Sequence, residues 1–480
     1  MEKVSPLLEL QLKMLAKTSV RLFVSVGAVF TLTFLLFGHQ LYQASSSTAP
    51  NPQEDRHGGS ATPQMDMSTT HQVLQSIISK DGAYLPINFG SRGAINPSII
   101  AHPEENTTWI VTAQLHEPQK GDKPRLWFAE LVCTAAFSPS KHASSSRQAL
   151  RCTEPPLILP IAATPSDSTK CTGDEAFFAL SIGPHDARVF YGPDGPYTIY
   201  GSTSQFTCFG QWMLDFRLLV DWGVDTINDH GGFLRQPTEL QRPLPYRSIE
   251  KNWFVFWDAA GQIYVHHDIV PTRMFAQLEP DGSVGPDLAP MTAEADNACL
   301  RRHLPPLTPP PDTATQRGDS ESIHQATNAL SITLCARADP SCVPRQDNTF
   351  VLTIFQHKSF YRLHSTYEPY AMLFRAVSPY EIFGVSAKPL WISGRRTPPP
   401  PPSPSSSSSQ QAPSEYDRMR AVKLESEMLY VTSISWKAQG QGYHGFVDDV
   451  LFIGFGIEDS ATGVIDVAAR DLVDGLALCV

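Results

Sequence analysis

The chain has 480 residues, of which 41% are apolar and 18% are charged, with 41 prolines and a formal net charge of −11. The acidic balance argues against a nucleic acid as partner, because phosphate binding requires clustered lysine and arginine. The apolar and aromatic content also excludes a chain that is disordered throughout.

An uncharged stretch near the N-terminus, Leu22–Gly38, is long enough to cross a bilayer as a helix. Residues 1–21 carry a net positive charge, and the next basic residue is Arg56. This asymmetry predicts a single-pass type II signal anchor, with residues 1–21 in the cytosol and the rest in the lumen of the Golgi or endoplasmic reticulum. A cleaved signal peptide is the alternative, with Ala44-Ser45-Ser46 as a weak cleavage site.

Three segments have a composition that disfavours packing. Residues 39–75 are rich in Ser, Thr, Gln and Pro and predict a flexible stem. Tracts at about 302–322 and 395–415 are rich in Pro or Ser and cannot pack as helix or strand. Because strand-like sequence resumes on both sides of each tract, we interpret them as disordered loops inserted into one lumenal domain, residues 76–480.

Most of the remaining sequence predicts short β-strands. Residues 188–191 and 197–200 flank a Gly-Pro-Asp-Gly-Pro turn, and a second hairpin pairs residues 254–257 with 263–267. Further strands are predicted at 329–336, 350–356, 370–374, 430–436 and 450–455. The helices predicted outside the membrane are Ala468–Leu478 and a short one near His71–Ser79. The predicted fold class is therefore all-β, and the length favours a propeller over a single sandwich.

The eight cysteines form no Cys-x-x-Cys pair and no zinc-type spacing. In an oxidising lumen an even number predicts disulfides, with Cys133–Cys152 and Cys335–Cys342 as the local pairs; buried free thiols are the alternative. Asn106 begins an N-glycosylation sequon. No metal or cofactor is predicted, because P-loop, dinucleotide-binding and Asp-x-Asp motifs are absent from the sequence.

Polar residues stand at the starts of two early strands. Asn96 precedes a proline, so its backbone is extended and its amide faces a pocket or caps a turn. Asp186 and Arg188 are two residues apart and share one face of a strand. Such a pair binds a sugar hydroxyl, unless it is a structural salt bridge.

Two further segments carry polar groups beside predicted strands. One combines a carboxylate, an ammonium, an amide and an indole, which suits carbohydrate, although a solvated turn is the alternative; it consists of Glu250, Lys251, Asn252 and Trp253. The other, His357-Lys358, either neutralises a phosphate or is simply a polar strand end.

The segment near the C-terminus has an apolar strand bounded by acidic residues. His444, Asp448 and Asp449 precede this strand, and Glu458 and Asp459 follow it. A near-continuous apolar run predicts burial on both faces, so acidic residues at its ends require partners or a function. Asp459 is the stronger candidate, because Asp448 and Asp449 also suit a turn.

These motifs appear in a recognisable order: Asn-Pro-Ser, Asp-x-Arg, Lys-Asn-Trp, His-Lys and the closing apolar strand. The order resembles the five-bladed β-propellers of mannoside phosphorylases and β-mannosidases, and the related fungal Golgi β-mannosyltransferases. The chain is also similar to fungal membrane-anchored proteins of unassigned function. It departs from the family pattern at residue 185, where His185 replaces an acidic residue.

The resemblance implies a sugar pocket on the axis of the propeller, where the first strand of each blade delivers polar residues. Asp186 and Glu250 would be the acid/base residues and Asp459 would complete the catalytic set. The residues that would orient the sugar or neutralise a phosphate are Arg188, Lys251, Asn252, His357 and His444. The implied activity is that of a metal-independent glycosyltransferase using a sugar nucleotide or mannoside. A hydrolase or phosphorylase of the same fold, or a non-catalytic propeller that binds glycans or proteins, is the alternative.

Overall fold

The computed structural model describes residues 66–117, 127–139, 148–164, 169–221, 234–307, 320–325, 327–361, 364–398 and 425–479. This part of the chain is all-β, with a few short helices between strands, as predicted. Within these ranges no helix is long and apolar enough to span a membrane. The predicted anchor, residues 22–38, lies outside the described residues.

Twenty-five strands and three α-helices make up the described residues. The strands in the first half are β1 (Gln72–Leu74), β2 (Leu85–Asn88), β3 (Ala94–Ala101), β4 (Trp109–Leu115), β5 (Glu130–Pro139), β6 (Gln148–Cys152), β7 (Leu157–Ile158), β8 (His185–Tyr191), β9 (Pro196–Thr203), β10 (Phe209–Asp215), β11 (Thr238–Leu240), β12 (Phe254–Trp257), β13 (Ile263–Asp268) and β14 (Met274–Gln277). Those in the second half are β15 (Ser320–His324), β16 (Ala329–Thr333), β17 (Thr349–Tyr361), β18 (His364–Arg375), β19 (Ile382–Ser386), β20 (Leu390–Ile392), β21 (Leu429–Trp436), β22 (His444–Phe446), β23 (Val450–Ile457), β24 (Ala461–Ala468) and β25 (Leu476–Leu478). The helices are α1 (Ala176–Leu180), α2 (Ala293–His303) and α3 (Arg470–Val473).

Five sets of antiparallel strands follow one another along the chain. Set 1 is β3–β6, set 2 is β8–β11, set 3 is β12–β14, set 4 is β16–β19, and set 5 is β21, β23 and β24 completed by β2. The pairing of β2 with β24, in which Leu85 lies opposite Val464, joins the beginning of the domain to its end. Both predicted hairpins are confirmed, as β8–β9 and β12–β13.

Each set packs against the next through a layer of buried apolar side chains. The layers contain Ile100 and Val189 between sets 1 and 2, Phe190 and Val255 between sets 2 and 3, Phe256 and Phe374 between sets 3 and 4, and Ile332 and Val467 between sets 4 and 5. Set 5 packs back on set 1 through Phe452 and Ile99. Strand β2 also pairs in parallel with β6, so sets 1 and 5 belong to one nine-stranded sheet. The five sets therefore form a closed cycle of contacts, with hydrophobic burial at every interface.

All eight cysteines are paired. The predicted pairs Cys133–Cys152 and Cys335–Cys342 are confirmed, and the alternative of buried free thiols is wrong. The other two disulfides are Cys171–Cys208 and Cys299–Cys479, the second of which ties the end of the chain to α2. Spacing along the chain gives no indication of these distant pairs, because the fold alone brings them together.

The predicted C-terminal helix Ala468–Leu478 is wrong over most of its length. Only Arg470–Val473 is helical, and Leu476–Leu478 is strand β25, antiparallel to β19. Pairing with the edge of set 4 and the Cys299–Cys479 disulfide outweigh the helical pattern of the sequence.

The short helix predicted near His71–Ser79 is wrong. In that segment Gln72–Leu74 is strand β1, which pairs with β20.

Helix α2 was not predicted from the sequence. Helix α2 has acidic residues in its first turn, Glu294 and Asp296, and three basic residues in its last. This arrangement complements the helix dipole and was a usable signal in the sequence.

The predicted stem and loops meet ordered structure at their ends. Residues 66–75, placed in the stem by the sequence, include β1 and the buried Met67. The tract at 302–322 begins within α2 and ends in β15, and Arg395 at the start of the other tract is buried. The central parts of both tracts, 308–319 and 399–415, lie outside the described residues.

Two adjacent buried histidines lie in β13, and the hydrogen bonds of His266 require a neutral ring. His266 donates from Nδ1 to Gln325 Oε1 (2.6 Å), and its Nε2 accepts from Arg273 Nε (3.0 Å). His267 donates from Nε2 to the carbonyl of Gln241 (2.9 Å). Burial lowers the pKa of His266 well below its ordinary value and that of His267 to about 3.

These histidines predict that the domain loses stability in acid. The unfolded chain binds protons below about pH 6.5 and the folded chain does not, so the free energy of unfolding falls as pH decreases through that value, by about 1.4 kcal/mol per pH unit for each histidine. Urea unfolding at pH values between 7.5 and 4.5 measures how the free energy of unfolding depends on pH. His267→Phe should make this dependence less steep than in the wild type. An unchanged dependence would contradict a neutral His267 in the folded state.

Candidate functional site

Three sets begin with a polar residue in left-handed backbone. Asn96 (φ 54°) lies in β3, Asp186 (φ 51°) in β8, and Asn252 (φ 65°) just before β12. The extended backbone predicted for Asn96 is therefore wrong, because the β-bulge in β3 outweighs the preference of a residue before proline. Asn and Asp adopt this conformation more readily than other residues with a side chain. The ladder register shifts at Asn96 and at Asp186, so each forms a β-bulge that redirects its side chain. The strands β3, β8 and β21 contact one another. These contacts bring together the first strands of sets 1, 2 and 5.

The carboxylate of Asp186 is oriented by residues from set 1. Asn96 donates from Nδ2 to Asp186 Oδ1 at 2.7 Å. The backbone N–H of Asp186 donates to Gln114 Oε1 (2.9 Å), and the next N–H, of Ala187, donates to Glu130 Oε1 (3.1 Å). Asp186 itself is only partly buried, so its carboxylate remains accessible.

The backbone of β3 approaches set 5 closely, and this explains the Gly-Phe-Gly run in β23. A Cβ on Gly456 would lie 2.5 Å from Asn96 Oδ1, and one on Gly454 would lie 3.2 Å from the carbonyl of Pro97. Thr432 and Ser433 of β21 donate to the same Pro97 carbonyl, at 2.7 and 3.0 Å. Two glycines are therefore required for Asn96 to reach Asp186.

Arg188 follows Asp186 by two residues in β8 and is buried. Its Nη2 donates to Gln211 Oε1 at 2.9 Å, and the same oxygen accepts from the backbone N–H of Trp253 at 3.3 Å. Burial lowers the pKa of Arg188, while Tyr430 and Asp186 oppose that shift. Arg188 thus supplies positive charge, and its partner Gln211 links set 2 to the residues just before set 3.

Basic side chains from sets 3 and 4 face the same region. Burial lowers the pKa of Lys358, the charge of Lys251 lowers it further, and the charge of Asp459 opposes both. Burial, with smaller contributions from Lys358 and Lys251, lowers the pKa of His324 to about 3. Within the described residues neither lysine forms a salt bridge, and Lys358 Nζ lies 5.6 Å from the centre of the Tyr367 ring.

Asp459 and two tyrosines complete the region. Asp459, in the exposed β23–β24 turn (φ 45°), has its pKa raised by partial desolvation and by the charge of Asp186. The rings of Tyr367 and Tyr430 lie 4.7 Å apart, and burial raises the pKa of both phenols. Tyr430 donates to Asn252 Oδ1 at 3.3 Å. Both phenols therefore keep their protons at neutral pH.

We refer to these residues as the polar cluster: Asn96, Asp186, Arg188, Lys251, Asn252, Lys358, Tyr367, Tyr430 and Asp459. Six of them were predicted as site residues from the sequence. Tyr367 and Tyr430 were not predicted, since a tyrosine in a strand looks like any other core residue. Lys358 was noted only with its neighbour His357. No group of three or more metal-ligating side chains occurs among the described residues.

Glu250 and Trp253 lie outside the polar cluster. Glu250 is buried, its Oε2 lies 3.0 Å from Arg242 Nη1, and its Oε1 accepts from the backbone N–H of Arg247 at 2.6 Å. Trp253 is 2% exposed and packs edge-on against His267, so it presents no face to a sugar. Both flank two residues of the cluster, and a role for either in a reaction stays a prediction.

The remaining predicted residues also lie elsewhere. His357 is fully buried in β17. His444 contacts Thr333 at 2.9 Å, near a salt bridge between Arg337 and Asp449. The sequon residue Asn106 is exposed in the β3–β4 turn.

No family model matches the chain, and no curated protein sequence matches it. Several solved structures are similar over most of its length. A mannose phosphorylase from Leishmania mexicana, in complex with phosphate, is 12% identical over 82% of this chain and 91% of its own, with a TM-score of 0.37. A β-1,2-mannobiose phosphorylase from Listeria innocua is 11% identical over 80% and 91% (TM-score 0.33). The catalytic domain of a Coprinopsis cinerea GH62 α-L-arabinofuranosidase is 8% identical over 80% and 96% (TM-score 0.34).

Proposed function

We propose that the protein is a carbohydrate-active enzyme built on a single five-bladed β-propeller. The closed cycle of five sets supports the number of blades, and β2 would be the last strand of the fifth blade. The contacts of β3, β8 and β21 support an axis lined by the first strands of the blades. The polar cluster would then lie at one end of that axis.

One observation carries the proposal. The polar cluster combines an accessible carboxylate held in a fixed orientation with two lysines that form no salt bridge within the described residues. Sugar hydroxyls require both acceptors and donors, which Asp186, Asn252 and the two phenols provide. A polar concave site with convergent charged groups is the usual setting for catalysis.

The more specific proposal is a glycosyltransferase that works without a metal. Asp186 would act as the general base on an acceptor hydroxyl, and Lys251, Lys358 and Arg188 would neutralise the departing phosphate. Asp459, in the exposed β23–β24 turn, would contribute a second carboxylate to the site.

Turnover by the full-length protein tests the class of reaction. The protein, purified in detergent, would be incubated with a panel of sugar nucleotides and acceptor glycans, and separately with mannosides with and without inorganic phosphate. Transfer from a sugar nucleotide supports the specific proposal. Hydrolysis, or phosphate-dependent cleavage of a mannoside, would replace it with a glycosidase or phosphorylase of the same fold. No turnover of any sugar would overturn the enzyme proposal.

A glycan-binding propeller is the second candidate. Asn96 and Asn252 occupy left-handed positions like that of Asp186, so only one of three matched positions carries a carboxylate. Binding requires no acid/base pair, and amides suit it equally well. Glycan binding without turnover would favour this reading.

We also propose that the folded domain lies in the lumen of the Golgi or endoplasmic reticulum, anchored by residues 22–38. Four disulfides support an oxidising compartment. Exposure of Asn106 in a turn leaves the sequon accessible to glycosylation.

This location predicts one N-linked glycan. Endoglycosidase treatment of the protein from its own cells should lower its apparent mass on gels, and Asn106→Gln should abolish that change. Thr108→Ser keeps the sequon and is the matched control. An endoglycosidase-insensitive wild type would contradict the lumenal location.

A further inference from the structure

We propose that Glu130 and Gln114 are positioning residues that hold Asp186 in its left-handed bulge, with Glu130 acting as a neutral hydrogen-bond acceptor rather than as a charge. The inference rests on the proposed role of Asp186. It identifies two residues of set 1 that act on the reaction through the backbone of set 2.

The two side chains bind consecutive backbone N–H groups on either side of one Cα atom. Gln114 is the last residue but one of β4 and Glu130 begins β5, and they lie opposite each other in the ladder of set 1. They accept from Asp186 and Ala187 at 2.9 and 3.1 Å. Both side chains are buried, so water does not compete for these hydrogen bonds.

The bulge depends on these two acceptors. The pairing of β8 with β9 passes from His185–Gly201 to Arg188–Ile199, which leaves Asp186 and Ala187 out of the regular ladder. Their N–H groups would otherwise be buried without partners or would return to the ladder. Since side chains alternate along a strand, a shift of one residue would turn Asp186 to the opposite face.

Glu130 is suited to a neutral role. It is fully buried, and its Oε2 has no hydrogen-bond partner within the described residues. Burial raises the pKa of Glu130 well above its ordinary value, and the nearby charge of Asp186 adds to the shift. A neutral carboxyl still accepts from Ala187 through Oε1, and glutamine offers the same acceptor.

Four variants of the full-length protein test the inference through turnover. Glu130→Gln should keep kcat within about threefold, whereas Glu130→Leu should lower kcat by about 10² with little change in KM, because a displacement of about 1 Å costs that much. Gln114→Leu should behave like Glu130→Leu. Gln114→Glu keeps the acceptor, so its kcat should stay within about threefold of the wild type, as in Glu130→Gln.

Glu239 provides the matched control. It is also a buried glutamate whose carboxylate accepts a backbone N–H, that of Gln205 at 2.7 Å, but it lies in set 2 away from the bulge. Glu239→Leu should lower stability without the selective loss of kcat. An equal loss of kcat in Glu239→Leu, or a loss in Glu130→Gln as large as in Glu130→Leu, would overturn the positioning role.

A crystal structure of Glu130→Leu separates this inference from the proposed function. We expect Asp186 to leave the left-handed region and to lose its contact with Asn96, and Glu130→Gln to keep both. If Asp186 is unchanged in Glu130→Leu, the inference is wrong whatever the protein catalyses. If the wild type turns over no sugar while Asp186 moves as expected, the proposed function fails and the positioning role stands.

Discussion

Asp186→Asn is expected to lower turnover by about 10³-fold while leaving the fold intact. The substitution keeps the size of the side chain and an oxygen that can accept from Asn96 Nδ2. It removes the negative charge and the ability to take up a proton, and general acid–base catalysis contributes about 10²–10⁴-fold to rate. Initial rates at saturating substrate, together with a thermal unfolding curve, measure both parts of the prediction.

Asp281→Asn is the control for this loss of charge. Asp281 lies in an exposed turn between β14 and α2, where its carboxylate accepts from Ser283. Its substitution should leave turnover unchanged. Full activity in Asp186→Asn would show that the polar cluster does not supply the acid/base group.

Glu250→Ala is expected to lower the free energy of unfolding by about 3 kcal/mol without a selective loss of turnover. The substitution leaves the guanidinium of Arg242 buried with one carboxylate partner, Asp268, instead of two. Removing one partner from a buried ion pair costs about 3–5 kcal/mol, and the remaining partner places this case at the low end. Urea unfolding measures the loss.

The exposed pair Arg345–Asp347 provides a comparison for the buried one. Both side chains are more than half exposed, so Asp347→Ala should cost at most about 1 kcal/mol. We expect kcat of folded Glu250→Ala to stay within about threefold of the wild type. If Glu250→Ala unfolds like the wild type but loses most of its kcat, Glu250 is a catalytic residue.

Asp186 and Glu250 show which part of the candidate site could be predicted from the sequence. Both are acidic residues close to the start of a strand, and local pattern does not distinguish them. Asp186 lies in a bulge beside Asn96, whereas Glu250 pairs with Arg242, eight residues earlier in the chain. Those partners come from the tertiary fold, and the spacing of residues does not encode them.

Local signals predicted local structure well. The turn sequences predicted the β8–β9 and β12–β13 hairpins, and short spacing predicted the disulfides Cys133–Cys152 and Cys335–Cys342. The prediction of a helix over Ala468–Leu478 was wrong because β25 pairs with β19, an interaction between strands about 90 residues apart. Tyr430 was missed for the same reason, since its hydroxyl meets Asn252 only across two sets.

Sugar binding by the polar cluster underlies both candidate functions. Saturation-transfer NMR on the full-length protein, with a panel of mannosides and sugar nucleotides, measures it. We expect saturation transfer to at least one sugar, lost in Lys358→Ala combined with Asp186→Asn and kept in Asp281→Asn. No transfer to any sugar, or transfer that persists in the double variant, would contradict the claim.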